Sequence, residues 1–149
     1  MKDIYIITGA NGHLGSTIIR LLKKQLASHS SQIQEIRGLI LPGEEPPFKE
    51  DRSIHWYYGD VTDIPSLVPL FENTKDCRII VIHTAGIIDL TASEVTERMR
   101  AVNVDGTKNM VAAALSHSVY RFLYVSSVHA IPELPNNETM TETKDFSPD

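Results

Sequence analysis

The sequence predicts an α/β protein built on a doubly wound parallel sheet. Three observations carry the prediction. Short β-branched and apolar runs alternate with stretches of helical periodicity along most of the chain. Two of those runs, Ile4–Ile7 and Ile79–Ile82, are apolar without alternation, as a strand covered on both faces requires. The first of them passes directly into a turn with glycine at every third position, Gly9, Gly12 and Gly15, and a helical pattern follows.

Each element can be justified in order. Ile4–Thr8 is the first strand. After the glycines, Leu14, Ile18, Ile19, Leu22 and Leu26 recur at helical spacing, with Arg20, Lys23 and Lys24 on the other side. Residues 27–32 are a polar exit, longer than a tight βαβ unit needs. Ile36–Leu41 is a second strand, stopped by Pro42-Gly43, and residues 44–51 form a loop by composition. Ser53–Tyr58 is a third strand. Asp63 is the expected N-cap of a short helix over Ile64–Phe71, with Pro65 tolerated in its first turn and Pro69 limiting it. Arg78–His83 is a fourth strand of central character. Ser93–Ser116 is a long helix with Val95, Met99, Val102, Met110 and Val111 near one face; Gly106 is its weak point, costing about 1 kcal/mol against alanine. Arg121–Val125 is the fifth strand. The expected strand order is 3-2-1-4-5 with right-handed crossovers, in a domain over residues 1–131. Residues 132–149 carry five acids against one base and three prolines, and are expected to be an irregular acidic tail.

Composition narrows the function classes. The 149 residues suffice for one domain with a core, and 42% apolar and 22% charged residues are ordinary for a globular protein. A net charge of -5 argues against nucleic acid or an anionic membrane as partner. No apolar run approaches the roughly 20 residues of a membrane span, and Met1-Lys2-Asp3 runs into a strand, not a signal peptide. Cys77 is the single cysteine, so no internal disulfide forms, which fits a reducing cytoplasm. The histidines lack metal-ligand spacing, and no metal site is expected.

The glycine turn points to a phosphate ligand. The first backbone N–H groups of a helix have no internal partners, and the helix dipole is positive there. The spacing G-x-x-G-x-x-G differs from the commonest dinucleotide fingerprint, G-x-G-x-x-G, but the three roles are available. Gly9 permits the tight turn, Gly12 removes a side chain where backbone must approach pyrophosphate, and Gly15 lets the helix pack close to the strand.

The stretch Thr8-Gly9-Ala10-Asn11-Gly12-His13-Leu14-Gly15 resembles the cofactor motif of the extended short-chain dehydrogenase/reductase superfamily, whose dinucleotide-binding domain is a Rossmann fold. The likeness continues through Gly59-Asp60-Val61-Thr62-Asp63, His83-Thr84-Ala85-Gly86, Asn103–Asn109 and Tyr124–Ala130, five segments in the family's order. Ser126-Ser127-Val128-His129-Ala130 leans toward the dihydroflavonol-reductase and 3β-hydroxysteroid-dehydrogenase-like group; the sugar-nucleotide epimerases often place Tyr-Gly where this chain has Ile131-Pro132. The resemblance implies a bound NAD or NADP and an alcohol or carbonyl substrate. It places Gly9, Asn11, Gly12, His13, Leu14 and Gly15 at the pyrophosphate, Asp60 and Val61 at the adenine, and Thr84, Ala85 and Gly86 toward the ribose and nicotinamide. Val125 joins the cofactor-binding set. Ser127 would hydrogen-bond the substrate oxygen, with Ser126 the alternative, since strand alternation lets only one face the cofactor. Asn103 would steady the active-site backbone. His83 is expected to support the turn after the fourth strand, and His129 lies where it could meet a substrate. The family's fourth helix, here the long one, often forms a homodimer interface.

One part of the family pattern is missing. Its enzymes use Tyr-x-x-x-Lys to handle the hydroxyl proton while hydride moves to or from the nicotinamide. Four residues beyond Tyr5, Tyr57, Tyr58, Tyr120 and Tyr124 stand Gly9, Val61, Thr62, Tyr124 and Val128, none of them lysine. The chain therefore reads as the N-terminal portion of a longer enzyme, without the sixth strand and substrate part and inactive alone. The other reading is a short NAD(P)-binding sensor or regulatory module. The choice between NAD and NADP stays open: Glu44 and Glu45 fall slightly after the end of the second strand and Arg37 slightly before it.

Overall fold

The strand with the most complete apolar run takes the middle of the sheet. β1 (Lys2–Thr8) lies between β2 (Ile33–Ile40) and β4 (Cys77–His83), with β3 (Ile54–Tyr58) beyond β2 and β5 (Arg121–Tyr124) beyond β4, all parallel. This is the predicted order 3-2-1-4-5. The computed structural model describes residues 1–28, 31–88, 94–127, 130–131, 134–135, 138–139 and 141–142. The expected acidic tail lies largely outside these residues, as do Val128 and His129; its described residues belong to no helix or strand.

Alternate side chains of the strands feed two cores. Ile4 and Ile6 point to one face, with Leu39, Val61, Val81 and Met110. Ile7 points to the other, with Ile36, Ile40, Ile54 and the inner side of α1 (His13–Leu26). From α1, Ile19 and Leu22 are buried, whereas Leu14, expected on the same apolar face, stands exposed in the first turn. Lys23 and Lys24 close the helix where its dipole favours cations.

β2 starts three residues earlier than the apolar pattern indicates. Glu35 and Arg37 interrupt that pattern but are i and i+2 neighbours on one face, joined by two 2.8 Å hydrogen bonds. Arg37 is only 2% exposed and also donates to the carbonyls of Leu70 (2.8 Å) and Glu72 (2.7 Å). On β3, Trp56 packs across Gly38 of β2, where a Cβ would lie 2.5 Å from the indole ring. Its Nε1 is buried with no partner among the described residues.

The short helix α2 (Ile64–Leu67) begins after Asp63, and at Val68–Phe71 it tightens into a 3₁₀ turn around Pro69, as the second proline demands. Asp63 holds the N-cap position, but its side chain caps nothing. Ser66 closes the turn instead: its hydroxyl accepts from Asp60 N (3.0 Å) and donates to the Asp63 carbonyl (2.7 Å).

The expected long helix is three pieces in series. α3 (Glu97–Arg100) starts at Thr96, whose hydroxyl accepts from Met99 N at 3.2 Å. A π-helical segment covers Ala101–Gly106, and α4 (Thr107–Ser116) completes the run. Val95 stands exposed before the first turn, and Ser93 lies outside the described residues. Gly106 is not a flaw in this helix. A Cβ there would lie 2.5 Å from Val61 Cγ2, so the glycine allows the helix to approach the loop after β3. Asn109 ties the same contact by donating to the Val61 carbonyl at 2.9 Å.

Candidate functional site

The turn after β1 is shaped by its glycines. Gly9 has φ +63°, a left-handed value that a side chain resists, and a Cβ there would lie 2.8 Å from Ala85 N. Gly12 N donates to the Gly9 carbonyl (3.0 Å), closing the turn, and Ala10 N donates to the carbonyl of Leu39 (3.2 Å), pinning it to β2. A side chain at Gly15 would fall onto the Gly9 carbonyl oxygen; its absence lets α1 start directly against the turn. α1 begins at Gly12 with no side-chain cap and no acid in its first turn. Its leading N–H groups therefore keep their capacity for an anion.

The turn forms one wall of a cleft of about 310 Å³ at the carboxyl ends of the strands. Of the residues singled out in the sequence, Gly9, Asn11, Gly12, Asp60, Val61, Thr84, Ala85 and Gly86 line it together. His13, Leu14 and Gly15 form the first turn of α1 beside it. Asn103, Val125 and Ser127 do not line it. β5 ends at Tyr124, one residue short of the expected strand end, although Val125 N still donates to the His83 carbonyl at 3.2 Å. Ser126 and Ser127 follow the strand and are exposed, so strand alternation does not choose between them. Sequence reasoning passed over Leu39, Ile40 and Ile87, which give the cleft apolar surface, and Arg98, which brings a cation. Nothing in the residue pattern marked Arg98, because its element was expected to be ordinary helix.

Behind the cleft runs a buried polar chain. Thr107 Oγ1 donates to the Asn103 carbonyl (2.7 Å) and lies 3.0 Å from His83 Nε2; His83 Nδ1 lies 2.7 Å from Thr8 Oγ1. Thr8 Oγ1 in turn accepts from Ala85 N at 3.2 Å. Every group is satisfied when His83 carries its proton on Nε2 and Thr8 donates to Nδ1. Burial holds the His83 pKa down to about 4, so the ring is neutral. Thr84 Oγ1 donates to the Thr8 carbonyl (2.7 Å), closing the β1–β4 seam. Asn103 grips the loop after β4 with both side-chain atoms, accepting from Ile87 N (2.7 Å) and donating to Ile87 O (2.9 Å). Its place behind the wall is that of a group that holds backbone.

Asp60 lies two residues past β3, its carboxylate accepting from Thr62 N (2.8 Å) and Thr62 Oγ1 (2.9 Å). The same side chain thus shapes a turn and lines the cleft. In the turn after β2, four residues past its end, Glu44 lines the cleft and accepts from Asn11 Nδ2 at 3.2 Å.

Residues 6–146 match the model of the 3-beta hydroxysteroid dehydrogenase/isomerase family. The chain is 26% identical over 129 residues to the 3 beta-hydroxysteroid dehydrogenase/Delta 5→4-isomerase of vaccinia virus (strain Copenhagen), covering 86% of this chain and 35% of that protein. It spans about a third of the length of that curated relative. Among solved structures, that of gox2253 superposes with a TM-score of 0.75 at 29% identity, over 98% of this chain and 41% of the other. The NAD complex of a Thermus thermophilus UDP-glucose 4-epimerase shares the fold, with a TM-score of 0.74 at 21% identity over 93% and 42% of the two chains.

Proposed function

This chain belongs to the 3-beta hydroxysteroid dehydrogenase/isomerase family, and on that premise we propose that its cleft binds a nicotinamide dinucleotide, NAD or NADP. The chain is then the cofactor-binding portion of an oxidoreductase or epimerase/dehydratase acting on an alcohol or carbonyl. The observation that carries this reading is the uncapped, acid-free start of α1, brought against the cleft by glycines that leave no room for a Cβ. Its N–H groups would receive the pyrophosphate. Asp60 and the Val61 backbone stand where an adenine would be held, and Thr84, Ala85 and Gly86 leave a low wall for a nicotinamide ribose. The dinucleotide, when bound, would supply or accept hydride.

Asn103 acts as a positioning residue through Ile87. Ser127, just past β5, is the group assigned to the substrate oxygen. A tyrosine with a lysine four positions on is absent from these 149 residues, so the chain alone has no acid/base to move the hydroxyl proton. The purified chain should bind NAD or NADP in a calorimetric titration yet produce no reduced nicotinamide from any alcohol. Turnover would overturn the assignment of proton transfer to the missing pair.

A reducing cytoplasm is the setting that Cys77, the single cysteine, suits. No described helix is long and apolar enough to cross a membrane. Val104, Val111 and Leu115 form an exposed apolar stripe along the π-helical segment and α4, the surface for a homodimer.

A further inference from the structure

We infer that Glu44 makes the cleft select NAD over NADP, an inference that rests on the dinucleotide reading above. The sequence leaves three charged side chains near the end of β2 as determinants, and the structure separates them. Arg37, the one cation, is consumed: its guanidinium is buried among Glu35 and the carbonyls of Leu70 and Glu72, and none of it reaches the cleft. Glu45 is exposed and pairs with Lys49 at 3.5 Å. Glu44 is half-buried and lines the cleft.

The turn after β2 explains why an acid so far past the strand end comes back to it. Glu44 N donates to the Leu41 carbonyl (3.1 Å), and Gly43 takes φ +88°, which reverses the chain within Leu41–Glu44. The loop is also fastened at its far side. Phe48 lies under Lys23 Nζ, 4.6 Å from ring centroid to nitrogen, and Asp51 pairs with the same lysine. Glu44 is held from the cleft side as well, because its Oε2 accepts from Asn11 of the glycine turn. Oε1 has no partner among the described residues and is available to accept.

A ribose with free 2′ and 3′ hydroxyls offers two donors to a carboxylate in this place, and an acid there is what favours NAD. A 2′-phosphate offers no donor and brings nearly two further negative charges beside Glu44. The cation lining the cleft among the described residues is Arg98, carried by α3 after β4, not by the β2 end.

Titration of the 149-residue chain with NAD and with NADP, each to millimolar concentration, tests this. The wild-type chain should bind NAD at least about tenfold more tightly, the order expected for a charge-assisted hydrogen bond kept or lost. Glu44→Gln should shrink that ratio to about threefold or less, and Glu45→Gln should leave it as in the wild type. NADP binding as tight as NAD, or a ratio untouched by Glu44→Gln, overturns the inference and leaves the dinucleotide reading standing. Binding of neither ligand overturns both.

Discussion

His83 shows how one side chain can join three elements at the cost of its own charge. It is fully buried between Thr8 of β1 and Thr107 of α4, with the rings of Phe122 and Tyr124 at 5.9 and 5.8 Å. Its folded pKa of about 4 lies below the ordinary 6.5 because burial penalises the cation. As pH falls below 6.5 the unfolded chain takes up a proton that the folded chain refuses, so stability present at neutral pH declines until about pH 4. The total loss should be about 3 kcal/mol, at roughly 1.4 kcal/mol per pH unit. Asp51 adds a separate window: hydrogen bonds from Lys23 and Ser53 hold its pKa near 2 instead of 3.8, so its contribution is lost below pH 4. Urea denaturation between pH 7 and 4 should show the first slope in the wild type, and His83→Gln should flatten it; an unchanged slope would assign it elsewhere. The supporting role of His83 was readable beside the Thr-Ala-Gly turn, since a histidine ending a buried strand needs partners. The fate of Arg37 was not readable, because its acceptors are two carbonyls over thirty residues away.

At the scale of the element, the helix before β5 departs most from its periodicity. Apolar spacing reports which face is buried but is blind to a change of pitch, so the π-helical Ala101–Gly106 was invisible in it. The wider turn lies where Asn103 reaches Ile87 and Gly106 meets Val61. Propensity alone predicts that Gly106→Ala stabilises by about 1 kcal/mol. The close approach to Val61 reverses the sign: Gly106→Ala should cost about 1–3 kcal/mol through overpacking. Val61→Ala in the same chain should recover part of that loss, and a double-mutant cycle by denaturant titration measures the coupling. Purely additive losses would place the strain elsewhere. The other elements were accessible from the sequence because Gly, Pro and apolar period agree at their ends; β2 was clipped at its start because Gln34-Glu35 reads as loop composition.

For the whole molecule, the strand order was legible because a buried parallel strand has a distinctive apolar density, and right-handed crossovers leave few arrangements. The cleft was legible for the same reason: ligands of such sheets lie outside the carboxyl ends of strands, where the order reverses at β1. Stability is uneven across this sheet. β1 is paired on both sides and fully buried at Ile4, Ile6 and Ile7, whereas β5 among the described residues is paired to β4 alone and exposes Arg121, Leu123 and Tyr124. Native-state hydrogen exchange should therefore find the slowest amides in β1 and β4 and markedly faster exchange along β5. Equal protection across the five strands would contradict this ranking.

Trp56 gives the molecule an optical property. It is the single tryptophan of the chain, pressed onto Gly38 two residues from the end of β2, with its indole N–H buried and unpaired among the described residues. An indole without a hydrogen-bonding dipole beside it relaxes little after excitation, so the folded chain should fluoresce toward the blue. The shift to red on unfolding would then follow the packing of β2 against β3 through one native chromophore, with no label attached.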